Sequence, residues 1–120
     1  MSDPQTSLRR PGEVVAALER VIDARRHDPP DRSYTSRLLA AGVDGPGAKV
    51  VEEAGELVAA ARGEADERVV SEAADLVYHV LVLLACRGVS FARVEDELAR
   101  RFGVSGLVEK ASRGSAGGAA

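Results

Sequence analysis

The sequence predicts an all-α fold, a bundle of four to five helices around a central hydrophobic helix, completed by oligomerisation. The 120 residues are 45% hydrophobic but include only two Phe, two Tyr and no Trp. The core must therefore be built from Ala, Val and Leu, which favours packed helices over an aromatic-rich β-sandwich. Apolar residues recur at helical spacing, and no strand-like alternation is long enough to predict a strand. Residues 76–86 form a helical stretch that is apolar on nearly all sides, which indicates that other helices surround it. Because so short a chain has few helices, we expect part of this apolar surface to contact another subunit.

Five helices are predicted in chain order. The first covers 11–27 and has basic residues in its last turn, where they complement the helix dipole. The second is short, covers 37–41 and ends at Gly42. The third covers about 47–62 after a cap-and-proline start at 44–46, and the fourth covers about 66–87. Ser90 is predicted to cap the fifth helix. We expect one domain over 11–113, with disordered segments at 1–10 and at the Gly/Ala-rich 114–120.

Composition excludes several classes of protein. A net charge of −3 argues against a nucleic-acid partner, which would require a basic surface. The single cysteine, Cys86, excludes an intramolecular disulfide framework and a cysteine-rich zinc site, and it fits a reducing cytoplasm. The N-terminal segment lacks the apolar core of a signal peptide, and the stretch 76–86 is too short to cross a bilayer. We therefore expect a cytoplasmic protein with no membrane partner.

Two helical stripes carry most of the chemically informative residues. Positions 0, 3, 4 and 7 of one stripe, on the third helix, are Lys49, Glu52, Glu53 and Glu56. Positions 0, 3 and 7 of the other, on the fourth helix, are Glu72, Asp75 and His79. Antiparallel packing across the turn at 63–65 would bring the acidic pairs of the two helices opposite each other.

Converging carboxylates favour a bound cation. Glu72 and Asp75 open a strongly apolar stretch, where unpaired carboxylates are costly unless a cation neutralises them. Mg²⁺ prefers such oxygen ligands and keeps positions for phosphate oxygens. For any single glutamate the alternative is a solvated face, and for the whole set it is a metal-free salt-bridge network that includes Lys49.

The same residues resemble a known family. Glu52-Glu53-x-x-Glu56, fifteen further residues and then Glu72-x-x-Asp75 resemble the signature of the all-α nucleotide pyrophosphohydrolases, the MazG-like superfamily. Four segments resemble the phosphoribosyl-ATP pyrophosphatase family: SYTSRL at 33–38, KVVEE at 49–53, EAADLVYH at 72–79 and RFGVSGLVEK at 101–110. Within them, the SYT element at 33–35 and the SGLVEK element at 105–110 narrow the resemblance to this family. The resemblance covers roughly 13–113. Gly55 departs from it, since the family more often has Ala there; it either allows a close helix approach or is tolerated.

The resemblance implies a Mg²⁺-dependent hydrolysis of 1-(5-phosphoribosyl)-ATP to the AMP derivative and pyrophosphate, the second step of L-histidine biosynthesis. The helix that is apolar on nearly all sides separately leads us to expect a homodimer or higher homo-oligomer. Glu52 would orient or deprotonate the attacking water, or would itself be a ligand. The residues expected to hold Mg²⁺ are Glu53, Glu56, Glu72 and Asp75.

Candidate substrate-binding residues are Lys49, Tyr34, Arg37, His79, Arg101 and Lys110. Lys49 either contacts a phosphate or pairs with Glu52 or Glu53. Tyr34 either stacks on the purine or ribose or fills a helix junction, and His79 either assists the site or is a core residue. Two competing functions are a MazG-like pyrophosphohydrolase of other (d)NTPs and a non-enzymatic helical adaptor.

Overall fold

A computed structural model describes Arg10 and residues 12–103, and it contains helices but no strand within that part of the chain. The helices are α1 (Glu13–Arg25), α2 (Tyr34–Ala40), α3 (Asp44–Ala61), α4 (Asp66–Cys86) and α5 (Phe91–Phe102). The predicted all-α fold is confirmed. The expected disordered segment 114–120 lies outside the described residues, as does 1–10 except for Arg10.

Helix starts differ from the sequence prediction at two places. α2 begins at Tyr34, three residues before the predicted start, because the Ser33 hydroxyl caps it and accepts a hydrogen bond from the backbone N–H of Ser36 at 3.0 Å. α3 begins at Asp44, so the prediction of 44–46 as a cap preceding the helix is wrong. Pro46 fits inside the first turn, where a backbone N–H has no helical partner.

The compact unit that ends at Val89 is organised around α4. This helix contacts α1, α2 and α3, and its most extensive packing is against α3, to which residues 62–65 connect it. The side chains that form the core are Ile22, Leu38, Ala60, Leu81 and Val82. Each of the four helices contributes one or two of these side chains. Because the other three helices all contact α4, it is the central helix that the sequence predicts.

Much of the apolar surface of α3 and α4 remains exposed. On α3, Val51 is 76% exposed and Val58 50%; on α4, Val70 is 67% exposed and Val77 41%. Each pair is seven residues apart, so each forms a stripe along its helix. Among the described helices, α4 alone has the length and hydropathy of a membrane span, with a mean hydropathy of 1.8 over its 18-residue window, only 22% of which is buried.

The second compact unit begins at Ser90 and contains α5. Ser90 occupies the N-cap position but its side chain makes no capping hydrogen bond, and Gly103 ends the helix with a φ of 70°. On the helix surface the Glu97 carboxylate accepts hydrogen bonds from Arg100 and Arg101, which lowers the pKa of Glu97.

Candidate metal centre

Three carboxylates from α3 and α4 converge. Glu53 and Glu56 lie one turn apart on α3, and Glu72 faces them from α4. One carboxylate oxygen from each residue lies within 4.8 Å of the others. The pairing that the two stripes predict across the interhelical turn is therefore present for these three residues.

Burial leaves two of the carboxylates incompletely satisfied. Glu53 is 8% exposed and Glu72 is 4% exposed, so both are removed from water. Oε2 of each is buried and has no hydrogen-bond partner within the described residues. Unpaired buried anionic oxygens are costly, and a hard cation satisfies them without further hydrogen-bond donors. The donor set and these two orphaned oxygens are thus suited to a hard cation.

Mutual repulsion shifts the protonation of the cluster. The contact with the Glu72 carboxyl and the negative charge of Glu53 raise the pKa of Glu56 to about 7. Burial is the main cause of the raised pKa of Glu53, and the nearby carboxyls of Glu72 and Asp75 raise it further. Without a cation, the cluster therefore retains a proton close to neutral pH.

Arg68 is a residue of this site that sequence reasoning missed. Its Nη2 donates to Oε1 of Glu72 at 2.6 Å, and its Nε donates to Oε1 of Glu64 at 3.3 Å. Glu72 thus has one oxygen held by a guanidinium and the other left without a partner. The signal was available in the sequence, because Glu64, Arg68 and Glu72 are spaced four residues apart on one helical face.

The other predicted acidic and basic residues of the stripes lie outside this group of three. Glu52 is exposed, and its Oε2 lies 3.5 Å from the Lys49 ammonium, which raises the pKa of Lys49. The pairing of Lys49 with Glu52 is one of the two alternatives that the sequence left open. Asp75 is also exposed; it contributes its charge to Glu53 but is not among the converging oxygens. Its role as a ligand stays a prediction.

Predicted substrate-binding residues occupy the adjoining α2–α4 contact. The Tyr34 hydroxyl lies 3.0 Å from Nε2 of His79, and His79 is buried at 6% exposure. The Arg37 guanidinium carbon lies 5.9 Å from the centre of the Tyr34 ring. Burial is the main cause of the raised pKa of Tyr34; the charge of Lys49 lowers this pKa, and the charges of Glu53 and Glu52 raise it, so the phenol lies within electrostatic range of the acidic stripe of α3.

Two predicted residues lie outside the compact unit that ends at Val89. Arg101 lies on α5 in the second unit, where its Nε is 2.8 Å from Oε2 of Glu97. Lys110 lies outside the described residues. Their roles stay predictions.

Comparison with known proteins gives a consistent answer. A family profile described as phosphoribosyl-ATP pyrophosphohydrolase matches residues 15–102. A phosphoribosyl-ATP pyrophosphatase from Erythrobacter litoralis is 55% identical over 101 residues, covering 84% of this chain and 97% of that protein. One from Trichlorobacter lovleyi is 50% identical over 100 residues, covering 83% and 93%. A histidine biosynthesis bifunctional protein from Helicobacter hepaticus is 48% identical over 100 residues, covering 83% of this chain and 43% of that protein. The chain that carries this carboxylate cluster belongs to the phosphoribosyl-ATP pyrophosphohydrolase family.

Proposed function

We propose that this chain is a hydrolase of histidine biosynthesis that cleaves 1-(5-phosphoribosyl)-ATP to 1-(5-phosphoribosyl)-AMP and pyrophosphate with Mg²⁺. Family membership supports the reaction. The observation that supports this site as its location is the convergence of Glu53, Glu56 and Glu72, in which Oε2 of Glu53 and Oε2 of Glu72 are buried with no hydrogen-bond partner among the described residues. A nucleotide triphosphate chain requires a cation at such a site, because its own charge would otherwise be repelled.

The carboxylates of Glu53, Glu56 and Glu72 would hold Mg²⁺, with Asp75 as a further ligand at the exposed edge. When bound, the ion neutralises negative charge on the phosphate oxygens during in-line displacement. Arg68 holds Glu72 at its other oxygen, so that the side chain does not rotate away from the cluster.

Glu52 is the proposed residue that orients or deprotonates the attacking water. Its carboxylate is exposed and therefore reaches water, and it is next to Glu53 in sequence but offset by about 100° around the helix. The Lys49 ammonium, 3.5 Å away, limits the rotation of the Glu52 side chain and is itself proposed to contact a phosphate oxygen.

Basic residues are proposed to bind the remaining substrate phosphate. Arg37 is exposed beside Tyr34, so it is proposed to meet a substrate whose triphosphate lies at the carboxylates. Arg101 and Lys110 are the other proposed contacts to the 5-phosphate.

We further propose that the enzyme works in the cytoplasm and that it forms a homodimer or higher homo-oligomer. The exposed valine stripes of α3 and α4 support the proposed assembly, because apolar stripes of this kind are typical of interfaces between proteins.

Incubation with phosphoribosyl-ATP and Mg²⁺ tests the proposal through the pyrophosphate released, with excess chelator as the control. We expect release that stops when the metal is removed. Faster cleavage of dCTP or dUTP would replace this assignment by the broader MazG-like activity. If no nucleotide is cleaved and Mg²⁺ does not raise the melting temperature, the result would favour the non-enzymatic helical adaptor.

Glu56→Gln tests the location of the site. The substitution keeps the shape of the side chain but removes a charged ligand, so turnover should fall by about 100-fold or more, since partners that only orient ligands already cost 10- to 100-fold. Glu67→Gln, at an exposed glutamate in the first turn of α4, is the matched control and should retain turnover. Circular dichroism should show the same helical content in both. Full activity of Glu56→Gln would place the metal elsewhere.

A further inference from the structure

Two neighbouring residues at the start of α2 hydrogen-bond to two neighbouring residues of α4. The Tyr34 hydroxyl pairs with Nε2 of His79 at 3.0 Å, and the Thr35 hydroxyl pairs with the Tyr78 hydroxyl. The partners are 45 positions apart in the first bond and 43 in the second, so these bonds fix the beginning of α2 against α4.

The direction of the Tyr34–His79 bond follows from the other nitrogen of the ring. Nδ1 of His79 lies 2.9 Å from the backbone carbonyl oxygen of Asp75, one turn earlier in α4. A carbonyl only accepts, so Nδ1 carries the proton. Nε2 of the neutral imidazole is then an acceptor, and the Tyr34 hydroxyl donates to it. His79 is thereby held in one tautomer, and the hydroxyl end of Tyr34 is held by His79.

The ring of Tyr34 remains open even though its hydroxyl is fixed. Its centre lies 5.9 Å from that of His79, at an interplanar angle of 88°, and 6.3 Å from that of Tyr78, at 27°. His79 is only 6% exposed, whereas Tyr34 is 41% exposed. A large aromatic ring that is held in orientation yet presented to solvent is suited to stacking, because little side-chain entropy is lost when a ligand binds.

The position of this ring relative to the carboxylates suits a nucleotide. His79 follows Glu72 by seven residues on α4, a rise of about 10 Å along the helix. A nucleotide separates its phosphates from its base by one ribose, so a nucleotide that lies along α4 with its phosphates at the carboxylates would have its base near Tyr34. Arg37, whose guanidinium carbon lies 5.9 Å from the ring centre, is exposed and free to move from the ring toward a phosphate.

We propose that Tyr34 is a specificity-determining residue on whose ring the purine of the substrate stacks, and that His79 is the positioning residue that holds this ring. The inference rests on the proposed function, since it assumes a purine nucleotide with its phosphates at the carboxylate cluster. The alternative is that Tyr34 only fills the junction between α2 and α4.

Tyrosine-selective isotope labelling tests the contact directly. The chain has only two tyrosines, so the ring resonances of labelled wild-type protein form two sets, which a Tyr78→Phe sample assigns. Addition of the product phosphoribosyl-AMP with Mg²⁺ should shift the Tyr34 ring protons upfield, through the ring current of the purine. Pyrophosphate with Mg²⁺, which has no base, should leave them close to their original positions.

Kinetics separate a stacking role from a structural one. Tyr34→Leu should raise KM for phosphoribosyl-ATP about 10-fold or more, the size of one base–aromatic stack, with a much smaller change in kcat. The inhibition constant of pyrophosphate should stay the same, because pyrophosphate binds at the metal. Tyr34→Phe keeps the ring but loses the bond to His79, and should raise KM by less than Tyr34→Leu.

The outcomes distinguish this inference from the proposed function. If wild-type protein releases no pyrophosphate from phosphoribosyl-ATP, the proposed function fails. If wild-type protein is active but the Tyr34 resonances do not respond to phosphoribosyl-AMP, or Tyr34→Leu leaves KM unchanged, the stacking proposal alone is overturned. Should Tyr34→Leu fail to fold, the labelled wild-type experiment still decides.

Discussion

At the scale of single residues, the two carboxylate oxygens of Glu72 have different surroundings. Oε1 is bound by Arg68 at 2.6 Å, whereas Oε2 is buried without a partner. A carboxylate bound at one oxygen is oriented but keeps its other oxygen available for a cation. Arg68 is in turn bound by Glu64, so the three residues form a chain of ion pairs that runs from the 62–65 connection into α4.

Arg68→Gln should therefore weaken metal binding. Loss of the guanidinium frees Glu72 to rotate, and a lost orienting partner typically costs about 10- to 100-fold in metal affinity. Removal of a positive charge acts in the opposite direction, but Arg68 is 56% exposed and solvent screens that effect. Calorimetric titration with Mg²⁺ alone measures the balance, with Arg62→Gln at the exposed end of α3 as the control. Tighter binding by Arg68→Gln would show that charge repulsion, not orientation, dominates.

The raised pKa of Glu56 predicts an unusual pH dependence. In the unfolded chain this carboxyl loses its proton near its ordinary value of 4.5, and in the metal-free folded protein it does so at about 7. The folded state binds more protons between these values, so the melting temperature of metal-free protein should fall as pH rises from about 4.5 to about 7.

Mg²⁺ competes with that proton, so its stabilising effect should grow as pH rises through about 7. Thermal melts with Mg²⁺ and with chelator across this range measure both trends. Glu56→Gln should flatten the metal-free profile, whereas Glu67→Gln should reproduce that of the wild type. A wild-type profile that is flat or rises with pH would contradict the coupling of the three carboxylates.

At the scale of helices, the sequence predicts the pairing of α3 with α4 but not the arrangement around α2. Residues 53, 56 and 72 converge as predicted because helical periodicity places each stripe on one face of its helix and the short connection 62–65 brings the two helices side by side. Asp75 follows Glu72 at the same spacing of three that separates Glu53 from Glu56, yet it is exposed and is not among the converging oxygens, so spacing alone does not determine which acids converge.

Contacts between segments that are far apart in the chain could not be predicted from local sequence patterns. The bond between Tyr34 and His79 depends on how α2 packs on α4, which no spacing within either helix determines. The early start of α2 follows from one hydroxyl of Ser33 that accepts from the backbone, an interaction that several nearby polar residues could equally have made.

Gly55→Ala should stabilise α3. Gly55 is exposed in the middle of this helix, and an added Cβ would meet nothing within 4 Å among the described residues, so no described helix approaches this glycine closely. Replacing an exposed mid-helix glycine by alanine is worth about 1 kcal/mol. Denaturant unfolding of Gly55→Ala measures the gain. Gly45→Ala is the contrasting variant, because its Cβ would lie 2.8 Å from that of Ala41 and should destabilise.

At the scale of the whole molecule, the surface of α4 requires an explanation. Its apolar window is 22% buried, and Val70 and Val77 are exposed on one stripe. A bilayer would cover them, but Glu72, Asp75 and His79 lie close to the centre of the same helix, and an acidic residue there costs about 3 kcal/mol. The carboxylate cluster therefore argues for a protein surface as the cover of the stripe, and the proposed homo-oligomer would supply that surface from a second copy of the chain.

Val77→Lys separates a covered stripe from an exposed one, because the two cases predict opposite signs. If the stripe were solvent-exposed, the substitution would be neutral or slightly stabilising, since lysine forms helix better than valine. If a second copy covers Val77, a buried valine contributes about 1.5 kcal/mol or more and an unpaired ammonium replaces it. We expect Val77→Lys to lower the mass measured by sedimentation equilibrium to that of a monomer, and to lower a melting temperature that in the wild type rises with protein concentration. Ser71→Lys places the same charge at an exposed polar position of α4 and should leave the assembly intact. A wild-type chain that is monomeric at all concentrations, with Val77→Lys as stable as the wild type, would mean that the valine stripe of α4 is not an interface.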